Sequence, residues 1–201
     1  MYNEIIKVMK KLTVLKAFMV VLVAFAALSL TSCNNDSYEP VPVKLGDVNG
    51  NYKAKLFIQQ GSKGIVVEKI INFSAKDTIV DFKDFPIREI VKSVVKDPVK
   101  TDTALAKIGK VEYKLNYTSK INTEQNIVEL TFAPKKLQIQ IPVDGVTKNA
   151  VVTVVAKQKG FFVGQDWSLR FGLVAEKIIV DGVELAPFET IKYDFPYSIK
   201  N

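Results

Sequence analysis

Cys33 carries the only thiol in the chain, and no histidine is present to act beside it. Without imidazole there is no His-based nucleophilic triad, no His acid–base catalysis and no His metal site. An enzyme would have to use paired carboxylates, a Ser-Lys dyad or tyrosines. No G-x-S-x-G, P-loop or G-x-G-x-x-G stretch occurs, so neither an activated serine nor a phosphate cradle is announced. Carboxylate pairs of the glycosidase kind are defined by separations of about 5 to 10 Å in space, which spacing along a chain does not state. The expectation is a protein that is not an enzyme and holds no cofactor. Asp47, Asn49 and Asn51 place oxygen ligands at alternate positions, as a calcium loop does. That loop needs Gly at its sixth position and Glu at its twelfth, and these are Tyr52 and Ile58; a turn feeding a strand is the expectation. The densest aromatic cluster is Gly160 to Trp167, GFFVGQDW. On a loop, Phe161, Phe162 and Trp167 would offer flat faces to a sugar or an apolar ligand. Against that, Trp167 falls in register with Leu169 and Phe171, which assigns it to the core. Phe82, Phe85 and Pro86, like Phe195, Pro196 and Tyr197, are read as packing at strand ends.

The elements that position these residues begin with the N-terminus. Lys7, Lys10, Lys11 and Lys16 precede a wholly apolar run from Ala17 to Leu28, and polar Ser29, Thr31 and Ser32 follow. The run is shorter than the roughly 20 residues of a spanning helix, and the charge, apolar and small-residue order is that of a signal peptide over residues 1–32. Met9 opens MKKLTVLKAF, itself a full signal-peptide start, which marks residues 1–8 as an upstream extension. Leu30, Thr31 and Ser32 before Cys33 resemble the lipobox of bacterial lipoproteins: a branched apolar residue, two small ones, then the cysteine whose thiol accepts a diacylglyceryl group. With Cys33 so used, no thiol is left for catalysis, for a thiolate cluster or for a disulfide.

Loss of residues 1–32 would remove four of the 28 basic and one of the 21 acidic side chains, leaving a net charge of +4 in place of +7. The remaining lysines alternate with acids (Glu68-Lys69, Lys76-Asp77, Lys83-Asp84, Glu176-Lys177), as on a solvated surface, with no basic stripe for a nucleic acid. Asn34 to Gly46 has two prolines and no hydrophobic period; residues 33–46 are read as the lipidated cysteine and a flexible tether, and 47–201 as one domain.

Within that domain, alternation argues for strands. Val111, Tyr113, Leu115 and Tyr117 share one face against Glu112, Lys114 and Asn116, and the period recurs in Val128/Leu130/Phe132, in Leu137/Ile139/Ile141 and in Trp167/Leu169/Phe171/Leu173. Gly61 to Gly64 separates a first hairpin; Asp144-Gly145 and Asp181-Gly182 predict two-residue turns with positive φ. Eight to ten strands are expected from these segments. One stretch has helical spacing: Ile87, Ile90, Val91, Val94 and Val95, opened by Pro86 and ended by Asp97-Pro98. Strands following strands with one short amphipathic helix indicate a mainly β fold with antiparallel sheets, a β-sandwich first and an up-and-down, lipocalin-like barrel second. The echoes TIVDFKDFP/TIKYDFP and PVDGV/IVDGV have incompatible offsets and do not make an internal repeat.

The pattern GDVNGNYKAKLFI, NFSAKDTIVDFKDFP, KIIVDGVELAPF and IKYDFPYSIK behind a lipobox resembles a family of uncharacterised cell-envelope lipoproteins of Bacteroidota. The resemblance implies an outer-membrane lipid-anchored domain of unknown function with no catalytic residues to carry over. Asn34, Asn35, Asp36 and Glu39 after the cysteine are a sparse form of the acidic signal for the outer leaflet. The expected role is a non-catalytic binding or scaffolding module for an envelope protein or glycan; the alternatives are a lipocalin-like carrier of an apolar molecule and a carboxylate-based hydrolase.

Overall fold

Eleven strands and two helices form in the computed structural model, which describes residues 41–201. Residues 1–32, read from the sequence as a signal peptide, with Leu30, Thr31 and Ser32 among them, and Cys33 lie outside the described residues. Strands β1 (Gly50–Gln60), β2 (Val66–Lys76), β3 (Ile79–Phe82), β4 (Tyr113–Asn122) and β5 (Ile127–Pro134) pair in sequence. They are followed around the sheet by β8 (Gly160–Val163), β9 (Ser168–Val180) and β11 (Ile191–Lys200), and β11 pairs again with β1. The result is a closed barrel of eight antiparallel strands. The hairpin of β6 (Leu137–Val143) and β7 (Val146–Val155) extends the sheet from the second half of β9, where the two-residue β10 (Val183–Glu184) also pairs.

The sandwich expected first is therefore corrected to the closed barrel that stood as its alternative. Alternation has the same period in both, so it carries no information about whether the first and last strands meet. Two bulges interrupt the register, one in the closed wall and one where β7 leaves it. On β11 the register with β1 and β9 slips around Pro196 and Tyr197, where a residue without an N–H costs no ladder bond. On β9 it slips at Glu176 against β7, which moves the inward set from Leu169, Phe171, Leu173 and Ala175 to Ile178. Each bulge bends its strand and raises the local twist.

The interior is filled by rings. Phe171 stacks on Phe195 at 4.3 Å between centroids, and Phe73 lies 5.2 Å from Tyr52, 5.1 Å from Phe82 and 5.7 Å from Phe171. Phe132 adds a contact at 5.1 Å to Phe171, and Phe85 bridges Tyr113 and Tyr193 at 5.0 and 5.1 Å. Outward positions on the same strands hold Lys53, Lys55, Glu68, Lys114, Lys120 and Lys192, all exposed. Apolar within and charged without is the reverse of a membrane-spanning barrel. No helix among the described residues is long and apolar enough to cross a membrane.

Two helices, not one, cross from β3 to β4. In α1 (Arg88–Val95) the expected stripe of Ile90, Val91 and Val94 is buried. Lys96, in the left-handed region at φ 64°, ends it. Asp97-Pro98 then starts α2 (Pro98–Ile108): the Asp97 carboxylate accepts from the Lys100 N–H at 2.9 Å and Pro98 occupies the first turn, where its missing N–H is not needed. The opposite end is closed by a short 3-10 turn, Leu45–Val48. The Val48 carbonyl accepts from the Tyr52 hydroxyl at 2.6 Å, and Val43 is buried with its N–H donated to the Asn126 side chain at 2.8 Å. Part of the segment read as tether, from Val41 to Gly46, is thus seated on the barrel. Asp47, offered by the sequence as a calcium ligand, caps this turn through the Lys44 N–H at 2.8 Å. Both Asp-Gly turns form as expected, with φ of 50° and 80° at Asp144-Gly145 and 51° and 85° at Asp181-Gly182.

Burial pushes the phenols of Tyr52, Tyr113, Tyr117 and Tyr193 above the usual tyrosine range. The unfolded chain would ionise them from about pH 10 while the folded barrel keeps them protonated. Above that pH the folded state holds more protons than the unfolded, so stability falls as pH rises, by up to about 1.4 kcal/mol per pH unit for each such group. The urea midpoint should therefore drop between about pH 9 and pH 11 together with the appearance of tyrosinate absorbance. A midpoint constant across that range contradicts the buried phenols.

Candidate functional site

A hollow with room for a ligand lies on the outside of the barrel. It has a volume of about 690 Å3 and lies over the wall formed by β1, β11 and β9. Residues opposite one another across antiparallel strands share a face, and here Phe57 faces Asp194, which faces Gly172. The neighbouring row is Gln59, Lys192 and Val174. Gly172 leaves the third place of its row empty, and the β11 bulge at Pro196 lifts the strand beside it. The far wall comes from the break between β7 and β8, where Lys157, Gln158 and Lys159 leave the sheet before Phe161 rejoins it opposite Arg170. A Cβ added to Gly172 would meet only the Tyr193 carbonyl at 3.8 Å and the Asp194 carboxylate at 4.0 Å, so the glycine is not required by backbone crowding.

Three of the four cations lining the hollow are ion-paired, while Lys192 and Asp194 line it with no ion pair among the described residues. Lys157 bonds Glu176 at 2.9 Å, Lys159 bonds Glu129 at 2.6 Å, and Arg170 grips Asp166. Asp166 also accepts from the Ser168 hydroxyl at 2.5 Å and Ser168 N–H at 3.1 Å. The Lys159 ammonium, then the Asn122 amide, hold the Glu129 carboxyl below its ordinary range. Asp194 stands on the exposed wall, yet its neighbours remove enough water from its carboxyl to hold it above the ordinary carboxylate range. Each cation–carboxylate pair presents a donor and an acceptor together, which matches hydroxyls and amides better than a bare anion. Phe57, under the Lys55 ammonium at 5.4 Å, and Phe161, 36% exposed, supply apolar faces.

The three aromatics singled out by the sequence separate. Phe161 lines the hollow, whereas Phe162 is fully buried inside the barrel. Trp167 reaches neither place: it is 50% exposed at the end of the β8–β9 turn. Its φ of 52° takes the backbone out of the extended region, and the side chain that alternation assigns to the core is turned outward. Gly172, Asp194, Phe57 and Gln59 were not singled out by sequence reading. A glycine amid an alternating strand is the one local signal of a close approach or an open place.

A smaller hollow of about 360 Å3 lies at the helical end between Val67, Gln60, Glu89 and Lys92. Among the described residues no group of three or more Cys, Asp or Glu side chains is placed to hold a metal ion. A family model described as Domain of unknown function (DUF4840) matches residues 47–180. No curated protein and no solved structure matches the chain.

Proposed function

Since the chain belongs to the DUF4840 family, whose description assigns no activity, we propose from its geometry that it is a non-catalytic binding module of the bacterial cell envelope, lipid-anchored to the outer membrane through Cys33, that holds a neutral glycan on its outer wall. One observation carries this reading: the rings of Phe73, Phe171 and Phe195 occupy the space in which a carrier would place its cargo, while the roomy, mixed apolar and polar surface is outside, over Gly172. A lipocalin-like carrier has the support of barrel closure but needs an interior void. Flat Phe57 and Phe161 with paired donors and acceptors suit a sugar ring, which has apolar C–H faces and hydroxyls that donate and accept at once.

Gly172→Leu tests the site without disturbing the fold, because the strand backbone accepts a side chain there at ordinary contact distances. On immobilised oligosaccharides the wild type should retain neutral chains, and Gly172→Leu should weaken retention about tenfold or more, a loss of about 1.4 kcal/mol, at an unchanged denaturation midpoint. Retention of acidic chains alone, or binding indifferent to Gly172→Leu, overturns the assignment.

A further inference from the structure

Trp167 is the only tryptophan in the chain, and it stands half exposed at a positive φ where the β8–β9 turn ends. A φ of 52° is a genuine outlier for a bulky side chain and costs on the order of 1–2 kcal/mol, whereas an extended backbone would bury the indole beside Leu169 and Phe171.

The indole stands at the end of the barrel where the chain arrives from Cys33. Lys200 ties these parts together: its ammonium lies 5.0 Å from the Trp167 ring and donates to the Asp47 carbonyl at 2.8 Å, within the 3-10 turn. In the β8–β9 turn Gly164 backs so closely onto the buried Val43 that an added Cβ would lie 2.3 Å from it. Asn126 donates to the Val41 carbonyl at 3.1 Å, fixing the first described residue to the same end. Val41, Leu45 and Trp167 are 75%, 48% and 50% exposed, and Lys44 and Lys200 lie among them. Apolar side chains around an exposed indole, flanked by amines, have the composition of a surface that meets lipid headgroups.

We infer that this end of the barrel rests on the lipid surface, with Trp167 inserted at the headgroup level. The inference rests on the lipidation of Cys33. Seven residues lie between Cys33 and Val41, so the chain between them can reach at most about 29 Å. A tether that short holds the Val41 end against the bilayer. The ion pairs of Asp166 with Arg170 and the capping role of Asp47 occupy the nearby carboxylates that would otherwise repel an anionic surface.

The test uses the full chain, purified from membranes and reconstituted in phosphatidylethanolamine–phosphatidylglycerol vesicles, since its emission comes from Trp167 alone. Flotation first shows whether the protein is anchored. Anchored protein should emit at shorter wavelength than Cys33→Ser protein in buffer, and lipids brominated near the headgroup end of the acyl chain should quench it about twofold or more. Leu45→Asp should float equally well and lose most of the quenching. Flotation with unshifted, unquenched emission overturns the contact while leaving the anchor standing. Failure to float overturns both. Emission shifted by soluble neutral oligosaccharide but not by lipid would assign Trp167 to a ligand instead.

Discussion

Phe171→Ala should lower the stability of the domain by about 3–5 kcal/mol, as removal of a core aromatic does. Phe171 is 5% exposed, with Phe195 stacked on it at 4.3 Å, Phe132 at 5.1 Å and Phe73 at 5.7 Å. These partners come from β11, β5 and β2, so the ring joins strands from across the closed wall. None can collapse into the vacated volume without drawing its strand inward, and residual cavity volume is what raises the cost. Against a typical total of 5–15 kcal/mol, the variant would be marginal at 37 °C. Trp167→Ala, by contrast, should change stability by about 1 kcal/mol or less, because the indole is half exposed and gives up surface contacts with Phe162 and Lys200, while alanine keeps the positive φ. Urea titration of the two variants checks the pair. Equal losses, or a larger loss at Trp167, would contradict the barrel core.

Cys33→Ser should abolish membrane association and fatty-acid labelling while leaving the denaturation midpoint where it was. Each buried methylene contributes about 0.8 kcal/mol, so two or more acyl chains on one sulfur bind a membrane almost irreversibly, whereas a surface contact through one indole does not. The first buried side chain among the described residues, Val43, lies ten residues beyond the cysteine, and this separation makes anchoring and folding independent. Radiolabelled palmitate measures the first effect and urea the second. Label retained after Cys33→Ser removes the anchor from this reading, and with it the resting place of Trp167.

Much of the fold was legible because its signals are local. The alternation around Tyr113 and Leu115, the stripe of Ile90, Val91 and Val94, and both Asp-Gly turns need only a few neighbouring residues to be read, and each formed as expected. Closure was not legible: it depends on β11 meeting β1 across more than a hundred residues, with a bulge at Pro196 on the way. The second helix was missed because Asp97-Pro98 was read only as a stop, although an N-cap followed by proline also starts a helix. Trp167 was misplaced because alternation transfers through a residue only while its φ stays extended. At the candidate site, Phe161 stood out by residue type. Gly172 did not, since the hollow is made by a missing side chain and by three strands distant in sequence.

The central claim is that ligand sits outside a filled barrel, over Gly172. A photoreactive phenylalanine analogue placed at Phe161, and separately at exposed Val146 on the β6–β7 hairpin, would be illuminated in the native envelope. A discrete adduct at Phe161, absent at Val146 and lost in the Gly172→Leu background, is the expected result. Equal adducts at both positions, or a Phe161 adduct that survives Gly172→Leu, would contradict it.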